Sequence, residues 1–485
     1  MAFRTERDFL GSVRVPAEAY YGSFTARALA NFQISGRRAP ALFIRSLALI
    51  KRAAAEANMQ LGLLDRKVGK AIVRACGEVA AGRFADQFPL DVFQAGAGTP
   101  FNMNVNEVIA NRANELLGAP KGSYRFVHPN NHVNMSQSSN DVIPTAIRLA
   151  ALLSLPSLLS ELAALERSFR RKAAAFGNIV KVGRTHLQDA VPITLGQEFG
   201  AWADSLKADR RAIANASMEL RVLGIGGTAV GTGITTHPRF RTLVIKHLSA
   251  LTRLPLRPGR PIQLTQDMGA FARFSASLRA LSLSLVRISN NLELLSMGPK
   301  AGIGELHLPD VEPGSSIMPG KVNPSIPECV EMVAFRVLAN DYAVALCTQA
   351  GQLELNVNTP LIALSLLESI ELLTNTCRMF RARCVENIRA DVARCRELLE
   401  SSLIVATALN PYLGYPVMSA LVRESLRSGK TLRQTILSHN LLSEAELSRI
   451  LSPASLVRPV KIDLELREKI RHSAAYREFL KKLRA

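Results

Sequence analysis

The apolar side chains Phe271, Phe274, Leu278, Leu281, Leu285, Ile288, Leu292 and Leu295 recur at alternating steps of three and four along segment 271–297. That spacing holds one face of a long helix apolar, as in a coiled coil or a long bundle helix. Segments 144–176, 192–223, 327–350 and 360–389 are further candidates for long amphipathic helices, with Pro156 tolerated in the first as a kink or a break. No alternating run is long enough for a major sheet. Aromatic residues make up only 6% of the chain, and the apolar mass is mostly Ala, Leu, Val and Ile, which suits packed helices. The expected class is all-α, built around a central helix bundle.

At 485 residues the chain has room for about three domains and a large core. Residues 1–40 read as irregular, broken by Gly11, Pro16, Gly22 and Gly36, and residues 41–118 as helices separated by the glycine-rich stretch 94–100. Residues 119–143, which include HPNNHVNMSQSSND, have loop chemistry. The tail, with Pro411, Gly414, Pro416 and Pro453, reads as a smaller helical domain. The expected boundaries are 1–140, 141–395 and 396–485.

The net charge of +20 admits a nucleic-acid or membrane partner in principle. No aromatic-interleaved RNA-binding motif, zinc-finger spacing or helix-turn-helix signal accompanies it, so neither partner is expected. The six cysteines include no C-x-x-C pair and read as reduced and mostly buried. The first residues, MAFRTERDFLGSVRVP, carry charges where a signal peptide needs an apolar block, and no apolar run reaches the length of a membrane span. A cytoplasmic location is expected. His128 and His132 lie at i and i+4 in a loop, and no metal-ligand cluster stands out. Gly224-Ile-Gly-Gly-Thr-Ala229 mimics a dinucleotide fingerprint, but no strand before it and no βαβ unit around it is expected, so no cofactor is implied.

Four polar segments interrupt the helical pattern: 96–104, 136–141, 183–189 and 314–324. Each is dense in hydroxyl, amide or cationic groups, which together suit a small dianion. The last, GSSIMPGKVNP, is the most informative. Gly314 and Gly320 give a mobile loop, two adjacent serines offer a base and further donors, and Lys321 supplies a fixed charge. A lone lysine is ordinarily a solvated charge and a serine pair a turn or cap, but the whole string is chemically coherent.

GSSIMPGKVNP resembles the signature of the aspartase/fumarase superfamily. VPAEAYYG, FNMNVNEVIANRA, HVNMSQSSND, GRTHLQDAVPITLGQEF, GGTAVGTG and TALNPYLGY resemble the same family in the same order, from about residue 11 to about residue 457. The resemblance implies a three-domain helical fold and an anti-elimination that releases fumarate from a small dicarboxylate. It also implies a homotetramer whose sites draw on three subunits. By motif match Ser315 takes the position of the general base. Ser316, Lys321 and Asn323 would hold carboxylates, Thr99, Ser138, Ser139, Asn140 and Thr185 would bind substrate, and His186 would act in the site, oriented by Glu328. A lone histidine at a helix end, as His186 is expected to be, is otherwise structural.

Segments 31–35, 96–99, 132–136, 187–192 and 354–356 resemble the aspartase branch, which eliminates ammonia from L-aspartate. Ser139, and His128-Pro129-Asn130, lean to the fumarase branch or are shared. Hydration of fumarate, or a catalytically silent relative, is the alternative. Pro100 departs from the pattern beside Thr99, where it removes a backbone donor. Pro416 departs where the family often has an acid.

Overall fold

The computed structural model describes residues 2–484. The expected irregular start is instead an antiparallel hairpin, β1 (Phe3–Asp8) and β2 (Gly11–Pro16), in register from Phe3↔Pro16 to Asp8↔Gly11. Gly11 and Pro16 read as breakers, yet each sits at an end of β2, where a turn glycine with φ 106° and a terminal proline are both tolerated. Arg4 then ties down the following segment by donating to the carbonyls of Pro16, Ala17, Ala19 and Tyr21.

The rest is predominantly helical. Besides the helix Ala41–Gln60, the long helices are α1 (Thr99–Leu116), α2 (Ser139–Ala175), α3 (Leu195–Ala216), α4 (Gly269–Ser296), α5 (Ser325–Gln349) and α6 (Thr359–Arg383). A second hairpin, β3 (Val180–Thr185) with β4 (Gln188–Thr194), lies between α2 and α3. It takes the first residues of the helix expected over 192–223. That helix starts only after Thr194, which exchanges hydrogen bonds with Gln197 in a reciprocal cap. Pro144 and Pro156 both lie within α2, which continues through them. The α4 seam is buried as its spacing predicts, with Phe271 through Leu292 inaccessible and Leu295 nearly so. Five of the six cysteines are buried and all are free.

By length and apolarity α2 could cross a membrane, contrary to the sequence expectation, but 72% of its apolar window is buried within the protein. Its Arg148 is also buried, donating to the Glu219 carbonyl and stacking over Phe271. That is the environment of a core helix.

The described residues divide into two compact units, each assembled from separated stretches. The first comprises residues up to Ala163 with Ala208–Val286 and Val330–Arg378; the second comprises Ala164–Lys207, Arg287–Cys329 and the stretch from Met379 onward. Within the second, the tail is helical and has its own apolar core, including Leu413, Leu421, Ile436 and Leu447. Pro416 sits in the first turn of its Tyr415–Ser428 helix, where a missing N–H costs nothing. In the first unit, Met332, Phe335, Tyr342 and Leu346 form an exposed apolar stripe along one face of α5.

Candidate active site

The candidate residues fall into two sets, one in each unit. In the first unit Thr99 opens α1 after Gly96, Ala97 and Gly98, whose φ angles of 65°, 53° and 81° put three successive residues in the left-handed region. Glycine meets that need without cost, and Ala97 bears the strain. A side chain at 98 would meet Ile143 at 3.1 Å, so this turn lies directly against α2, the helix that begins at Ser139. Thr99 Oγ1 donates to the Gly96 carbonyl. Pro100 is in the first turn of α1, where an N–H would have had no helical partner, so the departure costs the helix nothing. With Thr99, Gly96, Phe24, Arg27 and Asn130 it lines a cleft of about 580 Å3.

Asp91 anchors the approach to this turn. Its carboxylate accepts from the N–H groups of Ser35, Gly36 and Phe93 at 2.6–2.9 Å and from the Ser35 hydroxyl at 2.9 Å. Burial opposes its ionisation, but these donors outweigh burial and bring its pKa down to about 2. Gln94 links the anchor to α1, donating to the Asp91 carbonyl and accepting from Phe101 N.

Behind Ser139 lies a buried polar cluster. Lys51 is inaccessible, and its ammonium donates to Asn102 Oδ1 at 2.6 Å, Asn134 Oδ1 at 2.9 Å and Gln137 Oε1 at 3.0 Å. Asn102 Nδ2 donates in turn to Ser139 Oγ at 3.0 Å. Burial pulls the Lys51 pKa down to about 7, against the opposing pull of Asp141 and Cys76. Asp141 in turn accepts from the backbone N–H groups of Ser138, Gly226 and Thr228 at 2.8–3.0 Å, and burial pushes its pKa up to about 6 despite them. Asn140 Nδ2 adds a bond to the Ala229 carbonyl. A two-residue strand, Val222–Leu223, does precede this glycine loop, and it pairs in parallel with Arg257–Pro258 beyond the helix Phe240–Thr252. That corrects the expectation of no strand. Two of the loop's amides nonetheless serve a side-chain carboxylate of the chain itself.

In the second unit Thr185 and His186 stand at the tip of the β3–β4 hairpin, not at a helix end as expected. His186 and Leu187 both have positive φ, 51° and 63°, as the right-handed twist of a two-residue connection requires. Leucine rarely takes this conformation, so the tip stores strain at Leu187. Its foot is rigid. Fully buried Glu305 accepts a two-pronged bond from Arg184 at 3.0 and 3.1 Å and pairs with buried Lys181 at 3.1 Å; Lys181 also reaches Glu198 at 3.3 Å. Burial pushes the Glu198 carboxyl up, with Lys181 opposing.

The 314–323 loop bonds to itself. Gly314 N donates to the Lys321 carbonyl at 2.8 Å and Asn323 Nδ2 to the Gly314 carbonyl at 2.9 Å. A side chain at 314 would lie 2.7 Å from Asn323 N, so this crossing needs glycine. Ser315 Oγ accepts from the N–H groups of Ile317 and Met318 at 3.2 and 3.0 Å. Two amides aimed at one hydroxyl oxygen favour its alkoxide, which is what a serine base needs. Ser316 and Lys321 are exposed, and Ile317 is 84% exposed. Glu328, in the first turn of α5, is exposed and forms no hydrogen bond or ion pair with His186 within the chain. Among the described residues no group of three His, Cys, Asp or Glu could hold a metal. His128 instead accepts from Asn130 N and Asn131 N, and His132 accepts from His128 N.

Residues 11–339 match the family model described as Lyase, and residues 405–458 match one described as Fumarase C C-terminus. The chain belongs to the aspartase/fumarase superfamily. An aspartate ammonia-lyase of Pseudomonas fluorescens is 47% identical over 96% of this chain and 98% of that protein. A class II fumarate hydratase of Thermus thermophilus is 47% identical over 95% of this chain and 99% of that protein. Among solved structures, a fumarate lyase:delta crystallin from Brucella melitensis bound to cobalt superposes with a TM-score of 0.92 at 44% identity, covering 94% of this chain and 100% of that one. A class II fumarase from Schistosoma mansoni superposes at 0.91 with 38% identity, covering 95% of this chain and 100% of that one. The superfamily fold expected from the motifs is the fold observed, mostly helical with a few short strands.

Motif reading of this superfamily member left out Lys51, Asn102, Glu305 and Lys181. Lys51 sits beside Arg52 in IKRAAAEA, where a lysine reads as solvated. Its only signal was the helical period that aligns it with Leu47 and Asn58, both buried.

Proposed function

We propose that this lyase is an aspartate ammonia-lyase, converting L-aspartate reversibly to fumarate and ammonia. Ser315, as alkoxide, takes a proton from Cβ. The electron pair moves onto the β-carboxylate as an aci-carboxylate, then returns to form the double bond while the Cα–N bond breaks and ammonia leaves. The developing charge is the largest barrier, and each preorganised donor facing it is worth about 3 kcal/mol. Thr99, Ser138, Ser139, Asn140, Thr185, Ser316, Lys321 and Asn323 supply those donors, and His186, oriented by Glu328, completes the site. Ile317, left exposed on the loop, gains cover when the loop closes over substrate.

The observation that carries this reading is the intact Ser315-Ser316…Lys321…Asn323 loop in a chain 47% identical to an aspartate ammonia-lyase along nearly its whole length. We further infer a cytoplasmic homotetramer with sites shared by three subunits; the division of the site residues into two sets fits sharing between subunits. The exposed α5 stripe supports a shared bundle, since a second copy would cover it. Domains 1–140, 141–395 and 396–485 complete the proposed organisation. The equal identity of the Thermus fumarate hydratase favours malate as the second reading. Purified protein given L-aspartate or L-malate, with fumarate followed by its ultraviolet absorbance, decides between them; turnover of malate alone defeats the first. Light scattering tests the tetramer, and a monomeric mass defeats it.

A further inference from the structure

Lys51 is buried, and its Nζ donates to three amide oxygens, those of Asn102, Asn134 and Gln137, which takes all three protons of the ammonium form. An ammonium has donors only, so it fixes how each amide is turned, with oxygen inward and NH2 outward. The outward groups are all used. Asn134 Nδ2 reaches the Gln137 carbonyl, Gln137 Nε2 reaches the carbonyls of Val133 and Met135, and Asn102 Nδ2 reaches Ser139 Oγ. Because Ser139 Oγ accepts from Asn102, its own proton must point elsewhere, and among the described residues no protein acceptor takes it. The orientation set at the lysine thus passes through one amide to a hydroxyl that is left as a donor.

We infer that Lys51 is a positioning residue for substrate: through Asn102 it locks Ser139 as a hydrogen-bond donor to a carboxylate of the bound C4 dianion. The inference rests on Ser139 being a carboxylate-binding position, as proposed above. It assigns Lys51 no contact with substrate. The groups that face it electrostatically are Asp141, at the start of α2, and Cys76, on the helix Arg66–Ala80. Burial raises the Cys76 thiol far above neutrality, so Asp141 is the only anion of the pair.

The test is a double-mutant cycle read by binding, so that it does not depend on turnover. The full-length protein is titrated calorimetrically with succinate, a C4 dianion with no group to eliminate. Asn102→Asp keeps the size of the side chain and an acceptor for Lys51, but turns an oxygen toward Ser139, which draws the serine proton away from the ligand. Succinate Kd is expected to rise roughly 10- to 100-fold in Asn102→Asp and by a similar factor in Ser139→Ala. The double variant should bind no more weakly than Ser139→Ala, because both changes remove the same donor. Lys51→Met should shift Kd in the same direction, and Asn102→Asp carries the test where that variant does not fold. In turnover the single variants should raise KM far more than they lower kcat. Wild-type affinity in Asn102→Asp, or losses that multiply in the double variant, overturn the inference. Wild-type protein that ignores succinate defeats the dicarboxylate site as a whole, and the inference with it. Wild-type protein that binds succinate but turns over neither aspartate nor malate defeats the proposed reaction alone.

Discussion

Ser139 and Ser315 bring the same hydroxyl into opposite surroundings. Ser139 begins α2, is 9% exposed, and is backed by Asn102 and the inaccessible Lys51. Ser315 lies on a loop whose hydrogen bonds close on the loop itself and whose neighbour Ile317 is 84% exposed. The first hydroxyl is held by a scaffold that exists before any ligand arrives. The second has its two amide donors on its own loop. A substrate-binding group gains from being fixed, because its orientation is then settled in advance of binding. A serine base gains from mobility, because its alkoxide is tolerable only once water is shut out. The β3–β4 hairpin combines the two, with a buried charged foot at Glu305 and a strained, exposed tip at His186 and Leu187.

The comparison breaks most sharply at the base. Ser315→Ala should lower kcat by roughly 10⁴-fold while leaving the oligomer and succinate affinity unchanged. Near-normal turnover in steady-state assays would remove Ser315 from its role. The rigid foot of the hairpin comes next. Glu305→Gln leaves Lys181 and Arg184 without their shared anion, and should destabilise the fold by about 3 kcal/mol in denaturant titration. An unchanged midpoint would show that the foot is not what holds the tip. Lys321, on the exposed loop, is expected to act on substrate and not on folding. Lys321→Met is expected to raise KM by roughly 30-fold with an unaltered melting temperature, and a variant that melts early with normal KM would reverse that assignment.

The smallest effect concerns the fixed side. The Asp91 pKa is depressed to about 2 from an ordinary value of 3.8, so its carboxylate contributes stability that is fully present above about pH 4 and is lost as pH falls through about 2. Asp91→Asn should cost about 1 kcal/mol at neutral pH and flatten the acid end of the stability profile. A variant as acid-sensitive as the wild type would place that sensitivity on another carboxylate.

Much of the fold was legible in advance because helical burial repeats along the chain. The α4 seam needed only its three–four spacing, and every residue of it is buried. The polar strings were legible as a group, since hydroxyl, amide and cationic residues crowd together only where something other than a core is being built. The two hairpins were less so. β1–β2 is short and bounded by Gly11 and Pro16, and β4 carries Pro192 and leads straight into α3, so neither shows the long alternation that announces a sheet.

By itself, then, the sequence determined the helical class and the superfamily, and it supplied the side chains proposed for the chemistry, because these follow from local periodicity and from strings of adjacent residues. The tertiary structure alone decided that Pro100 is harmless to its helix, that His186 tips a hairpin, and that Lys51 is a buried donor and not a surface charge. Lys51 finds its partners 51 to 86 positions away, from Asn102 to Gln137, and Arg184 at the foot of the hairpin finds Glu305 121 positions away. Whether a charge is solvated or paired is set by what folds against it, and no local pattern records that.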